Sequence, residues 1–472
     1  ACFGVTGGFE RPMWYSLNGE EPKYNYSFNY QNWYPSVKHE TINARKNVGL
    51  FDFSTFSKFD LKGEKTHSEL QKICTANIKN EIGKTTYTHM LNEDGGIETD
   101  LTVVCMDKNY FRIVKDEFNR IDRLPHYIFG EINKLKARLR KNGKDIIDFG
   151  MGNPDMPTPK HIRDKLKEVT DKPGTGRYSV SKGIPGLRKA QAKYYQKRFG
   201  VKLNPDSEVI VTLGSKEGLA NLAQAISTPG DIIISPNPSY PIHPYGFIIA
   251  GASLRHLQTM KDGVFDPETY LERLDRSIRN STPSPVALIV SFPSNPTAQV
   301  VDLNFYKEIV KMALKYNVYV LSDLAYAEIY FDKKPPPSIL QVNRAKEIAV
   351  EFTSMSKTYA MAGWRIGFAV GNKKLIEALT KIKSYLDYGA YTPVQVAAAT
   401  ALNGPQTCVS SIRATYESRR DVLVESMSRS GWDIPSPAAS MFAWAPIPKK
   451  YQNKGSLKFA KDLMVKADVA VS

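Results

Sequence analysis

The sequence has few cysteines and no long hydrophobic run. The four cysteines, Cys2, Cys74, Cys105 and Cys408, are scattered over 472 residues without a Cys-x-x-Cys pair. This spacing argues against a disulfide framework and against a zinc site, and it favours a reducing compartment, which we take to be the cytoplasm. No apolar run reaches the roughly 18 residues that a membrane span needs, and the N-terminal sequence lacks the pattern of a signal peptide. We therefore expect no metal and no membrane partner.

Blocks of like charge are also missing, although the sequence is basic overall. Lys and Arg total 64 against 48 Asp and Glu, a formal net charge of +16. Acidic residues are interleaved with the basic ones, as in NKLKARLRKNGKDIID at 133–148. Such mixing is typical of a solvated surface rather than of a nucleic-acid-binding face. We therefore expect no nucleic-acid partner.

From about residue 146 onward, short apolar runs alternate with segments of helical spacing. VALIVSFP (286–293) and NVYVLSD (317–323) are almost unbroken apolar runs, as is typical of strands buried on both faces. Between them, LNFYKEIVKMALKY has the spacing of a crossover helix. The pattern predicts an α/β fold with an open, mostly parallel sheet. Ligands of such sheets bind outside the carboxyl ends of the strands.

Residues 1–114 differ in character from the rest of the chain. They are rich in aromatic residues, Gly and Asn, and the short runs SKFDLKG, TYTHML and LTVVCM suggest antiparallel strands. The change falls at Val114–Lys115, where no Pro-, Gly- or Ser-rich linker occurs. We therefore predict an N-terminal α+β region, residues 1–114, followed by a second domain over residues 115–472.

Polar residues follow several of the predicted strands of the second domain. They are Ser215 and Lys216 after EVIVTL, Asn295 after VALIVSFP, Asp323 and Tyr326 at NVYVLSD, Ser354, Ser356 and Lys357 at EIAVEFTS, and Arg365 at the start of the next run. Each alone is compatible with an ordinary turn or helix cap. Because the carboxyl ends of parallel strands share one edge of a sheet, we expect these side chains to form one cluster.

The chemistry of this set suits pyridoxal phosphate. A partly desolvated lysine, Lys357, can form a Schiff base with an aldehyde. A carboxylate, Asp323, keeps a pyridine nitrogen protonated, so that the ring withdraws electrons. The amide of Asn295 and the phenol of Tyr326 can hydrogen-bond the phenolate oxygen of the ring. Serines and a bidentate arginine, Arg365, can hold the phosphate.

The motif SxSKxxxxxGWRIG (354–367), together with Asn-Pro and SDxxY upstream, resembles the class I pyridoxal-phosphate aminotransferases of fold type I. The resemblance covers about residues 115–472. It implies a large cofactor-binding domain at about 165–410 and a smaller α+β domain formed by 115–164 and 411–472. It also implies an enzyme that transfers an amino group between an L-amino acid and a 2-oxo acid.

The resemblance also implies individual roles. Lys357 would be the Schiff-base lysine and proton shuttle, with Asp323 and Tyr326 as its catalytic companions. The cofactor ligands would be Ser215, Lys216, Tyr240, Asn295, Asp323, Tyr326, Ser354, Ser356, Lys357 and Arg365. Tyr178, in GTGRYSVSKG, resembles a tyrosine that reaches the phosphate of the neighbouring subunit, which implies a homodimer. Tyr127, Gly152 and Asn295 match substrate-side positions.

Within the family, FGMGNPDMPTP and SPAASMFAWAPIP look most like bacterial alanine (glutamate–pyruvate) aminotransferases. The expected substrates are thus alanine and pyruvate with glutamate and 2-oxoglutarate. Diaminopimelate, aspartate or aromatic aminotransferases remain alternatives, as does a non-catalytic or folate-binding fusion fragment.

The N-terminal region resembles another family. GGFERPMWY, VGLFDFSTFSKFDLKG and YTHMLNEDGGIETDLTV look like the folate-binding aminomethyltransferase domain found also in dimethylglycine dehydrogenases. Asp100 matches the acidic residue that faces folate there, although an acid in the turn after Gly95-Gly96 is an equally good interpretation. Both resemblances stop short of their families' usual extent. We therefore expect a fusion of two partial genes or an assembly artefact rather than a bifunctional enzyme. The arginine that binds the substrate α-carboxylate is expected beyond Ser472.

Overall fold

In the computed structural model the chain divides into two compact units, Ala1–Arg123 and Leu124–Ser472. The structure describes residues 1–6, 9–17, 19, 21–23, 25, 27, 29–50, 57–92, 95–115, 124, 128–150, 152–261 and 263–471. Within these ranges no helix is long and apolar enough to cross a bilayer. The same ranges hold no group of three His, Cys, Asp or Glu side chains arranged to bind a metal ion.

The described residues of the first unit form a hairpin, two helices and a four-stranded sheet. Its elements are β1 (Cys2–Thr6), β2 (Phe9–Trp14), α1 (Tyr34–Lys46), β3 (Ser57–Lys62), α2 (Thr66–Ile73), β4 (Thr85–Leu91), β5 (Ile97–Asp107) and β6 (Tyr110–Lys115). The sheet order is β3-β6-β5-β4 and every pairing is antiparallel. Leu70 of α2 packs with Val103 and Phe111 in the core of this unit. The antiparallel strands predicted for this region are confirmed.

The second unit alternates helices with strands. Its strands are β7 (Ile147–Asp148), β8 (Val209–Thr212), β9 (Ile232–Asn237), β10 (Ser253–Gln258), β11 (Met260–Lys261), β12 (Val264–Phe265), β13 (Ala287–Ser291), β14 (Tyr319–Asp323), β15 (Ala349–Ser354), β16 (Gly367–Gly371) and β17 (Val469–Ala470). Its helices are α3 (Ile128–Lys141), α4 (Lys160–Thr170), α5 (Pro185–Phe199), α6 (Ser215–Ile226), α7 (Ile242–Ala250), α8 (Pro267–Arg279), α9 (Leu303–Tyr316), α10 (Met355–Thr358), α11 (Lys373–Leu386), α12 (Thr392–Asn403), α13 (Thr407–Arg429) and α14 (Ser456–Ala467).

Seven strands of the second unit form one sheet, in the order β10-β9-β13-β14-β15-β16-β8. All neighbours are parallel except β16, which runs antiparallel to both β15 and β8. All five residues of β13 are buried, as expected for a strand covered on both faces. Two apolar clusters occupy the two faces of this sheet. The predicted α/β fold with a mostly parallel sheet is therefore confirmed.

Local signals explain the crossover helix α9. The Asp302 side chain accepts a hydrogen bond from the Phe305 N–H at 2.9 Å, which caps the first turn. Asn317 ends the helix in the left-handed region, with φ 54°. The apolar spacing between these two residues buries Phe305, Ile309 and Ala313 against the sheet. The helix covers the 14 residues that the sequence pattern predicts.

A small parallel pairing joins distant parts of the second unit. Ile147 of β7 pairs with Val469 of β17, and α3 and α14 pack beside these strands. The paired segments are the two that the sequence assigns to a small domain. The exact limits of the large and small domains remain a prediction.

Candidate cofactor site

The register of the sheet brings three predicted phosphate-binding segments together. Gly367, the first residue of β16, pairs with Ser354 of β15 on one side and with Thr212 of β8 on the other. A Cβ atom on Gly367 would lie 2.7 Å from the backbone nitrogen of Ser215. The loop after β8, the end of β15 and the residues before β16 therefore converge at one point.

Arg365 lies against the loop that follows β8. Its Nη2 donates to the Leu213 carbonyl at 3.1 Å, and its Nη1 donates to the Ala362 carbonyl at 3.0 Å. Gly214 has φ 86° and ψ 160°, and a Cβ there would lie 2.3 Å from Nη2 of Arg365. Only glycine readily adopts this backbone conformation, so Gly214 makes room for the guanidinium. Arg365 lies two residues before the strand, with φ 56°, and does not begin it as the sequence suggested.

The predicted serines and the lysine of this region line the same loops. Ser354 accepts a hydrogen bond from the Ser356 N–H at 3.1 Å and thereby caps the short helix α10. Ser215 is the first residue of α6, whose N-cap residue is Gly214, so the Ser215 hydroxyl does not cap the helix. Lys216 is exposed, with its Nζ 6.0 Å from the centre of the Tyr240 ring. Hydroxyls and N–H groups at a helix start favour an anion.

Lys357 is partly buried next to Gly152. Its Nζ donates to the Gly152 carbonyl at 2.8 Å. Burial and, to a smaller extent, the positive charge of Arg365 lower the pKa of the Lys357 amine to about 8. A lysine with this pKa is partly uncharged near neutral pH and can act as a nucleophile and as a base.

Asp323 lies at the end of β14, and His243 of α7 holds it in place. The two side chains meet at 2.9 Å between Nε2 of His243 and Oδ2 of Asp323, and both are buried. The other carboxylate oxygen accepts a hydrogen bond from the Ala325 N–H at 3.2 Å. His243 was not among the site residues predicted from the sequence. Its position three residues after Tyr240, at the start of a helix, is the signal that could have revealed it.

Asn295 and Tyr326 lie at neighbouring strand ends, with the Asn295 side chain close to the Tyr326 phenol. Burial, with a further effect of the Asp323 carboxylate, raises the pKa of the Tyr326 phenol. The Tyr326 ring meets the ring of Phe442 edge-on at 5.6 Å between centres. Phe442 also fills the space beside Gly152, because a Cβ there would lie 2.7 Å from its ring. Phe442 was not predicted as a functional residue, although it lies within the stretch SPAASMFAWAPIP.

A buried ion network supports the phosphate loop. Lys383 of α11 is fully buried and contacts Glu217 at 2.6 Å and Asp387 at 2.7 Å. Glu217 also accepts a hydrogen bond from the Leu213 N–H at 2.8 Å. The carbonyl of the same residue, Leu213, accepts the hydrogen bond from Arg365. The ion network therefore helps to hold Arg365 in place through Leu213. Sequence reasoning did not single out Lys383, since its partners lie far away in the chain.

Three predicted residues lie apart from this cluster or outside the described residues. Tyr178 is 84% exposed, and its ring packs against Tyr388 at 4.6 Å between centres. Asp100 belongs to the first unit and accepts a hydrogen bond from the Tyr87 hydroxyl at 2.7 Å. It lies within β5 and not in the turn after Gly95-Gly96. Tyr127 lies outside the described residues.

The described donor set fits pyridoxal phosphate. The Gly214 loop with its arginine suits a phosphate, and the Asp323 carboxylate, backed by a buried histidine, suits a protonated ring nitrogen. The Asn295–Tyr326 pair offers donors to a phenolate oxygen, and Lys357 offers an amine of lowered pKa. The residues that would hold the cofactor therefore lie on the strand ends predicted from sequence.

Comparison with known proteins shows that the chain is similar to aminotransferases. The AatC protein of Rhizobium meliloti (strain 1021) is 58% identical over 357 residues, 76% of this chain and 87% of AatC. Glutamate-pyruvate aminotransferase AlaC of Escherichia coli (strain K12) is 53% identical over 355 residues, 75% of this chain and 85% of AlaC. The substrate-bound BacF structure from Bacillus subtilis superposes with a TM-score of 0.68 at 33% identity, covering 75% of this chain and 88% of BacF.

The family models divide the chain in two. Residues 1–128 match the model described as GCVT N-terminal domain. Residues 144–472 match the model described as aminotransferase class I and II, whose members use pyridoxal 5'-phosphate. With its strand-end cluster and these matches, the chain belongs to the class I and II aminotransferase family.

Proposed function

We propose that this aminotransferase transfers the amino group reversibly from alanine to 2-oxoglutarate, which yields pyruvate and glutamate. The observation that carries the proposal is the cluster of Lys357, Asp323 and Arg365 at one sheet edge in a chain 53% identical to a glutamate-pyruvate aminotransferase. The contact between Phe442 and Gly152 next to Lys357 is consistent with a small substrate side chain. Phe442 occupies the volume next to Gly152, whose carbonyl receives the lysine amine.

Each residue of the cluster has a proposed task. When bound, pyridoxal phosphate supplies an electron-withdrawing ring. Asp323 balances the positive charge of the ring nitrogen, and His243 orients that carboxylate. Arg365 with the loop at Gly214 holds the phosphate, which fixes the ring relative to Lys357. The Lys357 amine removes a proton from the substrate Cα and returns one to the new position.

A homodimer is the proposed assembly. Tyr178, Tyr385 and Tyr388 are strongly exposed aromatic residues of the second unit, and Tyr178 and Tyr388 are packed together. Exposed aromatic clusters are typical of protein interfaces. A second copy of the chain is the proposed partner, with Tyr178 reaching the cofactor phosphate of that copy. Size-exclusion chromatography with light scattering, on the native chain and on Tyr388→Asp, tests this assembly.

The cytoplasm is the proposed location. All four cysteines are free thiols, and three of them are buried. Free thiols are typical of a reducing compartment.

For the first unit we propose a folate contact at Asp100, which rests on the match of residues 1–128 to the GCVT N-terminal domain model. The Asp100 carboxylate lies on the β5 strand with one oxygen bound by Tyr87. Titration of the chain with tetrahydrofolate, compared with Asp100→Asn, tests the contact. Equal binding by both proteins would rule it out.

The substrate assignment is tested by steady-state kinetics with 2-oxoglutarate as acceptor. The amino donors to compare are alanine, diaminopimelate, aspartate and phenylalanine, with Lys357→Ala as the inactive control. We expect the highest kcat/KM with alanine, because the chain is 53% identical to a glutamate-pyruvate aminotransferase. A higher kcat/KM with diaminopimelate or an aromatic donor would reject the assignment. Transamination that persists in Lys357→Ala would reject the catalytic site itself.

A further inference from the structure

A cleft rich in arginine lies at the edge of the large sheet, among residues that the cofactor cluster does not use. It runs between the edge strand β10 and helix α8 and encloses about 270 Å³. Its lining residues, which we call the arginine cleft, are Arg255, His256, Leu257, Gln258, Arg273, Arg276, Ser277 and Asn280. Three of them are arginines and none is acidic. A volume of this size lies near the lower end of small-molecule sites.

Helix α8 separates its charges between two sides. Arg273, Arg276 and Ser277 face the cleft at helical spacing, while the core side buries Tyr270, Leu274 and Ile278. The acidic residues of the helix, Glu268, Glu272 and Asp275, do not line the cleft. On their side, Arg279 forms an ion pair with Asp275 at 2.8 Å. The helix therefore presents positive charge to the cleft, whereas its other charged residues, three acids and Arg279, carry a net negative charge.

The cleft arginines are oriented by backbone carbonyls. Nη1 of Arg255 donates to the Asn280 carbonyl at 2.7 Å, and Nη1 of Arg273 donates to the Gln258 carbonyl at 3.0 Å. Within the described part of the chain, neither they nor the exposed Arg276 form an ion pair. A guanidinium has five N–H donors, so one or two neutral acceptors leave most of its donors available to a ligand in the cleft.

The edge strand adds backbone donors to the cleft floor. The N–H groups of Ser253 and Thr259 point toward β9. Because the direction of the N–H group alternates along a strand, the N–H groups of His256 and Gln258 point toward the open edge of the sheet. Arg273 covers the outward carbonyl of Gln258, which blocks the continuous ladder that an added peptide strand would need. The geometry therefore favours a small ligand over an extended peptide.

We propose that the arginine cleft binds a small polyvalent oxyanion, such as a di- or triphosphate or a polycarboxylate. Planar guanidinium groups bind phosphate and carboxylate oxygens with two parallel hydrogen bonds, and these charge-assisted bonds are the strong ones. Arg276 supplies a guanidinium that forms no ion pair with a carboxylate of the described residues, and Arg255 and Arg273 are held in place by backbone carbonyls. The proposal is independent of the proposed substrates, because the cleft shares no residue with the cofactor cluster.

Isothermal titration of the holoenzyme with inorganic tripolyphosphate tests the proposal. The protein is first saturated with pyridoxal phosphate and freed of excess, so that the cofactor site cannot take up the probe. We expect one bound tripolyphosphate per chain and a Kd about tenfold or more higher in Arg276→Gln. The matched control is Arg279→Gln, which removes an equal charge from the same helix and leaves the cleft intact. It should bind within about twofold of the native protein.

Further titrations separate the ligand sources and the contrary outcomes. Citrate in place of tripolyphosphate shows whether carboxylate or phosphate is preferred, and tighter binding of either supports the oxyanion site. Equal losses in Arg276→Gln and Arg279→Gln would show that only net charge matters, which overturns the proposal. No measurable binding at low ionic strength overturns it too. Tighter binding of a 12-nucleotide single-stranded DNA, equally sensitive to Arg276→Gln, would assign the surface to nucleic acid instead.

Discussion

Gly214→Ala is the substitution that most directly tests the phosphate loop. Gly214 has φ 86° and ψ 160°, a region that is essentially restricted to glycine. Holding alanine there costs about 1–3 kcal/mol. A Cβ would also lie 2.3 Å from Nη2 and 2.9 Å from Cζ of Arg365. The flexible guanidinium can move away at little cost, but it then leaves the position from which it reaches the phosphate.

The two effects should be seen in different measurements. If the cofactor-free loop can relax the backbone strain at position 214, the strain returns when the loop binds the phosphate, and it then weakens cofactor binding. Since about 1.4 kcal/mol corresponds to a factor of ten, 1–3 kcal/mol predicts a Kd for pyridoxal phosphate raised about 5- to 150-fold. Displacement of Arg365 from the Leu213 carbonyl adds to this loss. Strain that cannot relax lowers the Tm of the cofactor-free protein instead.

The assay is a titration of cofactor-free protein with pyridoxal phosphate, followed by absorbance and paired with a thermal melt. Gly363→Ala is the matched control, because it lies two residues before Arg365 and a Cβ there meets no atom within 4 Å. We expect Gly363→Ala to bind as the native protein does. If Gly214→Ala equals this control in both Kd and Tm, neither backbone strain at position 214 nor the arginine contact contributes to cofactor binding.

Three further substitutions test the rest of the site. In cofactor-free protein, the rate at which Lys357 reacts with pyridoxal phosphate should rise with pH through about 8 and then become constant, because only the uncharged amine attacks. Stopped-flow absorbance measures this rate. A pH–rate profile with its midpoint near pH 10 would contradict the prediction. Lys357→Ala should lose the lysine that borohydride reduction labels. Asp323→Asn should still bind the cofactor, but it should raise the barrier of single-turnover transamination by several kcal/mol, because a buried charge loses its partner. A near-native single-turnover rate would refute the role of Asp323. Lys383→Met leaves two carboxylates without their shared cation, so urea unfolding should show a loss of about 3 kcal/mol; the exposed Lys381→Met is the control, and equal stability of the two variants would contradict the network.

Local sequence patterns were sufficient to predict the strands, the crossover helix and the sheet edge at which most of the proposed site residues lie. An apolar run such as VALIVSFP reports burial on both faces because side-chain alternation is a property of the strand alone. The residues after such runs lie at one sheet edge in any parallel sheet, so Asp323 and Lys357 could be placed before the topology was known.

The tertiary structure decided which side chains meet across the sheet. β16 runs antiparallel between β15 and β8, and this insertion brings Arg365 onto the Gly214 loop, 151 positions away in the chain. His243 reaches Asp323 and Lys383 reaches Glu217 only because separate helices pack on the same face. Such contacts depend on the order of strands and on packing between elements, and local propensity carries no information about either. The sequence by itself therefore determined the reactive groups, whereas the fold determined the partners that orient them.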